Sequence, residues 1–154
     1  MPTWLYSIRD IDPSKTVKCA KREIRISPKD AREVCNTIKG MKIEDAKKLL
    51  EDVIAMKKTI PIRHYKGGVP HKQQDAKFYA GRYPVKATDE ILKLLTELEA
   101  NAEHKGLDIE KLIIIHAATH RGRKIKKYIP RAFGRGSPYF DTLTHVELAC
   151  HEGK

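Results

Sequence analysis

No run in this chain approaches the roughly 20 consecutive apolar residues that a membrane-spanning helix requires, so membrane insertion is not expected. The start, Met1-Pro2-Thr3-Trp4, lacks the basic-then-apolar layout of a secretory signal. Cysteine is scarce. Cys19, Cys35 and Cys150 are odd in number, far apart and without a C-x-x-C spacing. That pattern argues against a disulfide framework or a zinc ribbon and points to three reduced thiols in a cytoplasmic protein. Signs of an active site are also missing. Gly67-Gly68 lacks the following Lys-Ser/Thr of a P-loop. His64, His71 and His104 could move protons, but no carboxylate pair or nucleophile elbow accompanies them. His116 and His120 share the i, i+4 spacing of helical zinc ligands, yet their segment reads as a strand. There four residues span roughly 13 Å, too far for one tetrahedral ion. His151 beside Cys150 points to the opposite face. The expectation is therefore no metal, no cofactor and no enzyme.

What the chain does have is positive charge. Its 154 residues, expected to form a single domain over 1–154, carry a net charge of +11 with pI about 9.6. Such an excess points to a polyanionic partner. The charge is polarised. Residues 60–86 hold six Lys/Arg against one acid, and residues 120–140 hold seven against none. Residues 87–111 hold three against seven, so one segment is acidic. This suits a body with one face on nucleic acid and another facing water or protein.

Periodicity predicts the elements. Glu23-Ile24-Arg25-Ile26 alternates as a half-buried strand after an irregular first eighteen residues. Ser27 as N-cap, Pro28 and Asp30 start a helix whose stripe is Ala31, Val34, Cys35 and Ile38, closed by Gly40. A second helix over about 43–58, burying Ala46, Leu49, Leu50, Val53 and Ile54, should pair antiparallel with the first and end before Pro61. An extended, basic stretch follows, with Arg63-His64-Tyr65-Lys66-Gly67-Gly68, His71-Lys72-Gln73-Gln74 and Gly81-Arg82-Tyr83. A loop that long is unusual in a compact domain and is normally functional or disordered. A third helix should run from Thr88 as N-cap to Gly106, facing Ile91, Leu94, Leu95, Leu98 and Ala102 inward.

The last segment reads as a long β-hairpin over about 112–151. Leu112-Ile113-Ile114-Ile115 forms one arm. His145-Val146-Glu147-Leu148-Ala149-Cys150 forms the other, with Val146, Leu148 and Cys150 on one face. If Ile113 pairs near Cys150, the apex falls near Arg131 and the tip is Pro130 to Gly136. A later turn, at Gly134–Gly136, would need a bulge in the outgoing arm, and Gly122 is the candidate. An arm of about 18 residues at roughly 3.3 Å each reaches on the order of 50–60 Å if straight. It must project beyond a body expected over about 19–118 and 140–152.

A projecting cationic finger fits RNA. Lys and Arg neutralise phosphates, Arg adds planar bidentate contacts, and Tyr65, Tyr83, Tyr128 and Phe133 can stack on unpaired bases. A recognition helix in DNA would not mix acid and base on its outer faces as the first two helices do. Two other classes stay open: a free RNA chaperone, and an RNA nuclease using His64 or His71.

The chain resembles a known family at Arg63-His64-Tyr65-Lys66-Gly67-Gly68-Val69, Ala80-Gly81-Arg82-Tyr83-Pro84 and Ile129-Pro130-Arg131-Ala132-Phe133-Gly134-Arg135. Ile24 to Pro28 and Thr144 to Leu148 add support. The family is the universal large-subunit ribosomal protein numbered twenty-two in bacteria and seventeen in eukaryotes. The likeness is to the archaeal and eukaryotic branch and covers nearly the whole chain. Absence of a long C-terminal tail is more like the archaeal members. The resemblance implies an α+β fold, three helices on a small three-stranded antiparallel sheet with a protruding basic β-hairpin. It implies binding to 23S-type rRNA, help in subunit assembly, and a hairpin tip lining the nascent-peptide exit tunnel. Partners would be rRNA, neighbouring large-subunit proteins, the nascent polypeptide and exit-site factors, with no homo-oligomer. Carried onto this sequence, Arg121, Arg123, Lys124, Lys126, Lys127, Tyr128, Arg131 and Arg135 would contact rRNA. Pro130, Arg131, Ala132, Phe133, Gly134, Arg135 and Gly136 would form the tunnel tip. The 60–86 loop would be a second contact, through Arg63, His64, Tyr65, Lys66, His71, Lys72, Lys77, Arg82 and Tyr83. The N-terminal cations Lys15, Lys18, Lys21 and Arg22 complete the candidate set.

Overall fold

The computed structural model describes residues 5–9, 11–72 and 78–153. Met1 to Trp4, Gln73, Gln74 and Lys77 therefore lie outside the described residues. In chain order the elements are β1 (Thr16–Ile24), α1 (Pro28–Ile38), α2 (Ile43–Ile54), β2 (Ile60–Pro61), β3 (Gly81–Arg82) and α3 (Val85–Lys105). β4 (Leu112–Ile125), β5 (Tyr128–Pro130), β6 (Gly136–Pro138) and β7 (Asp141–Glu152) follow. The main sheet is antiparallel in the order β1-β7-β4, so the C-terminal strand is its centre. The three helices cover one face of it, the α+β arrangement expected.

The helices follow their apolar stripes. In α1, Ser27 accepts from the Asp30 amide, Pro28 occupies the first turn, and Ala31, Val34, Cys35 and Ile38 are buried. Gly40, at φ 87, turns the chain out of the helix. In α3, Ile91, Leu94, Leu95, Leu98 and Ala102 are fully buried, and Gly106 at φ 71 closes the helix. The facing side of the sheet supplies Val146, Leu148 and Cys150 from β7, Leu112 and Ile114 from β4, and Val17 and Cys19 from β1. Burial pushes the thiols of Cys19, Cys35 and Cys150 up to about 12, so these cysteines are packing groups and not nucleophiles.

Several expectations are corrected. The first strand lies earlier than 23–26. Pairing with β7 starts at Thr16↔His151, and Glu23 at φ 52 interrupts it just before Ile24. The second helix stops at Ile54 and not near residue 58. The Lys57 and Lys58 amides both fold back on the Asp52 carbonyl (2.8 and 3.2 Å), and Met56 adopts φ 58. Leu49 and Ile54 are only half-buried. Nor does α2 pair with α1; it packs on α3. The connection is stitched to the sheet instead: the Gly40 amide donates to Ile114 O (2.7 Å) and the Ile114 amide to Met41 O (2.9 Å). The third helix begins at Val85. Thr88, buried in its first turn, donates to Pro84 O at 3.0 Å instead of capping. The 60–86 segment is not structureless. β2 and β3 pair at its neck, and Ile62, Val69 and Ala80 form a small second core with Phe78.

The hairpin register carries the remaining correction. Ile114, not Ile113, faces Cys150, and β4 holds two bulges, between Ile114 and His116 and between Arg121 and Lys124. Each adds one residue to the outgoing arm and, together with the shifted starting pair, they place the apex at Phe133 instead of near Arg131. The second bulge contains Gly122, the position expected for such an irregularity. A Cβ there would stand 2.9 Å from the His145 ring and 3.1 Å from Leu143 O, so only glycine fits without displacement.

Candidate nucleic-acid interface

The β4–β7 ribbon changes character along its length. At its root, alternate residues of both strands are buried in the core. From Arg121 outward the β4 side chains leave it, while Leu143 and Thr144 on β7 stay buried. Every residue from Tyr128 to Phe140 is exposed except Ser137, which is half-buried. Three antiparallel pairs hold the outer ribbon, Tyr128↔Pro138, Ile129↔Ser137 and Pro130↔Gly136. The turn is closed by the Arg131 amide donating to Arg135 O at 2.8 Å. Phe133 sits at its apex at φ 57 and 98 % exposed. Tyr128 and Phe140 meet edge-to-face with centroids 5.6 Å apart, while both remain open to solvent. Exposed aromatics among cations suit contact with bases or with an apolar wall.

Not all of the hairpin's cations are available. Lys127 lies 2.8 Å from Asp141, which Arg25 Nε also reaches at 3.1 Å. These two cations hold the Asp141 carboxyl below its usual range, Lys127 first. Arg123 approaches Glu23 at 3.9 Å while staying 79 % exposed, a loose contact of little energetic weight. Arg121, Lys124, Lys126, Arg131 and Arg135 pair with no acid among the described residues. Arg131 Nε donates to Ser137 Oγ at 3.3 Å, within the tip itself.

The loop residues divide similarly. Arg63, His64, Tyr65, Lys66, His71, Lys72 and Arg82 are exposed, and Tyr83 is half-buried. Lys66 lies over the rings of Phe78 and Tyr79 (5.6 and 5.4 Å), Lys72 over Tyr83 (5.5 Å), and Tyr79 stacks on Phe78 at 5.3 Å. Phe78 and Tyr79 were missing from the sequence-based set, although both are aromatics in the same basic stretch and could have been read there. The loop is anchored by Glu33. This carboxylate, 2 % exposed on α1, accepts the Arg63 amide at 3.2 Å and contacts Arg32 at 3.3 Å.

Tyr65, Lys29 and Arg32 form a cluster in which both cations face the ring, at 4.4 and 5.9 Å from its centroid. Tyr65 and Arg121 line one recess, so the loop and the hairpin root, far apart in sequence, meet in space. Of the N-terminal candidates, Lys15 and Arg22 are exposed and Lys18 lies over Tyr6 at 5.7 Å. Lys21 is held by Glu90 at 2.9 Å, a contact that lowers the Glu90 pKa. Lys21, like Lys127, is thus largely committed to its own protein.

The face of β7 opposite the core holds a feature the sequence did not reveal. Glu147, 1 % exposed, has His116 Nε2 at 2.9 Å and His120 Nε2 at 3.3 Å, and it accepts the Ser7 amide at 3.2 Å and the Ser7 hydroxyl. The two imidazoles do converge, contrary to the strand-spacing argument, because long side chains from one strand face lean to a common carboxylate. Burial pushes the Glu147 pKa up. Hydrogen bonds from His116, His120 and the Ser7 amide outweigh this and hold it below the usual value. Among the described residues no group of three or more His, Cys, Asp or Glu side chains is arranged to hold a metal ion. The cluster fastens the N-terminal segment to the sheet. No helix is long and apolar enough to cross a membrane among the described residues.

Residues 19–151 match the family model of ribosomal protein L22p/L17e. The chain is similar to the large ribosomal subunit protein uL22 of Archaeoglobus fulgidus, 52 % identical over 94 % of each chain. It is likewise similar to those of Staphylothermus marinus, 47 % identical over 99 % of each, and Methanocaldococcus jannaschii, 47 % identical over 96 % of this chain and 94 % of the other.

Proposed function

We infer function from one premise: the chain belongs to the ribosomal protein L22p/L17e family. It is a large-subunit ribosomal protein of the archaeal type, cytoplasmic with its ribosome, and not an enzyme. From there we propose that it binds 23S-type rRNA through the outer hairpin and the basic loop. On this reading it helps draw separate rRNA segments together during assembly, and its hairpin tip lines the nascent-peptide tunnel. Neighbouring ribosomal proteins, the nascent chain and exit-site factors are the further partners.

One observation carries the reading. Five hairpin cations, Arg121, Lys124, Lys126, Arg131 and Arg135, stand exposed with no acid to neutralise them among the described residues. A ribbon that buries so little in its own body gains its stability from a partner, since a two-stranded hairpin alone in water is marginal. A dense array of phosphates supplies both counter-charge and surface. Charge reversal at Lys124 and Lys126 tests this. The K124E/K126E protein should stay folded, by circular dichroism, yet fail to co-sediment with large subunits washed in high salt. Normal retention after that wash would overturn the reading. Recovery of the wild-type protein in light fractions would favour a free RNA-binding module instead.

A further inference from the structure

Tyr65 stands between two hollows of opposite chemistry. One, of about 170 Å³, has Lys29 and Arg82 in its lining together with Asp30 and Glu33, so its cations have carboxylates beside them. The other, of about 130 Å³, is lined by Pro28, Lys29, Arg32, Tyr65, Thr119 and Arg121. Three cations face this second hollow and no carboxylate does. They come from α1 and from β4, and the loop's Tyr65 ring holds Lys29 and Arg32 in place by its face. Like charges gathered in one recess repel, and the N-terminal end of α1 adds partial positive charge of its own.

Arg32 supplies the second observation. One end of its guanidinium is occupied, with Nη2 at 3.3 Å from Glu33. Its Nε is shielded from solvent and has no hydrogen-bond partner among the described residues, although the side chain as a whole is 40 % exposed. A shielded N–H left without an acceptor is costly, and native structures supply one in nearly every case. Thr119 and Arg121, two apart on β4, present their side chains on one strand face toward the same space. The recess is several times the share of one water, about 30 Å³, and well below the roughly 300–1,000 Å³ of pockets for drug-sized ligands. That size accommodates a phosphate group with residual water.

We propose that this recess is an anion site that takes one phosphate of the RNA backbone, with the Arg32 guanidinium, Lys29, Arg121 and the Thr119 hydroxyl as donors. Filling it joins the basic loop to the hairpin root and sets the direction in which the hairpin leaves the body. The proposal rests on the rRNA-binding reading and narrows it to a site.

Two measurements on the full-length protein test it. In the first, inorganic phosphate is titrated while the Arg32 Nε–Hε and Thr119 amide resonances are followed by NMR. Both should shift saturably, chloride at matched ionic strength should not reproduce the shifts, and Lys29→Gln should raise the midpoint several-fold. In the second, binding to large-subunit rRNA is measured against salt. Arg32→Gln, and separately the exposed Lys29→Gln, should each lower the slope of log affinity against log salt by about one, the share of one lost phosphate contact. Phosphate shifts no different from chloride, with both slopes unchanged, would overturn the site while leaving rRNA binding intact. A wild-type protein without salt-dependent rRNA binding would overturn the underlying reading, and the site with it.

Discussion

The root of the hairpin, β4 on β7, and its outer half, which runs on into β5 on β6, are both antiparallel ribbon, yet they are built for different partners. At the root, Leu112, Ile114, Val146, Leu148 and Cys150 are fully buried against the helices. Further out, Ile125, Tyr128, Ile129, Phe133, Tyr139 and Phe140 are all more than a third exposed. The backbone pairing is similar in both halves; what differs is what the side chains meet. The root is held by apolar burial inside the protein, while the outer half carries apolar rings and uncompensated cations into solvent. Secondary structure therefore says little about where stability comes from, and the outer half reads as one side of an interface.

The sharpest break of this contrast is to truncate one residue in each half. Leu148→Ala should cost about 2–5 kcal/mol in chemical denaturation. Phe133→Ala, at a site 98 % exposed, should stay within about 0.5 kcal/mol. Equal costs would show that the outer half is packed on the body after all. Next in size is Gly122→Val, at the joint between the halves. Its added carbons meet the His145 ring and Leu143 O, so a loss of about 1–3 kcal/mol is expected, with altered NMR shifts running outward from Thr142 and Lys124. A neutral outcome would mean that the bulge relaxes freely. Smallest is a pH effect at the root. The folded pKa of Glu147 lies below its ordinary 4.5, so its stabilisation is present above that value and is lost as pH falls through the folded pKa. Glu147→Gln should lower stability at neutral pH and flatten the acid limb of a stability–pH curve. An unchanged acid limb would remove Glu147 from the account.

Much of this contrast was legible in the sequence alone, where the signal was local. The α1 stripe with its Ser27 cap, the α3 stripe and the basic hairpin all follow from spacing between near neighbours. Gly122 was identifiable because a glycine inside a strand marks a bulge or a close approach. The apex was placed short of Phe133 because register depends on the starting pair and on how many bulges an arm contains, and the bulge at Ile114–His116 has no glycine to announce it. The partner of α2 was missed because the Gly40–Met41 stitch to β4 is a tertiary contact. Nothing near Glu33 or Glu147 in the sequence signals that their carboxylates are buried. What buries them, the Arg63 backbone and the Ser7 segment, lies 30 and 140 residues away in sequence. Lys21 and Lys127 were grouped with the free cations for the same reason: their acids come from α3 and from the returning strand.

The central claim is that the outer hairpin's charges belong to RNA, and a density map of the large subunit containing this chain tests it most directly. The account predicts the Arg121, Lys124, Lys126, Arg131 and Arg135 side chains within about 3 Å of phosphate oxygens, with Phe133 at the tunnel wall. A map in which residues 121–136 lie on protein, or in solvent away from RNA, would contradict it.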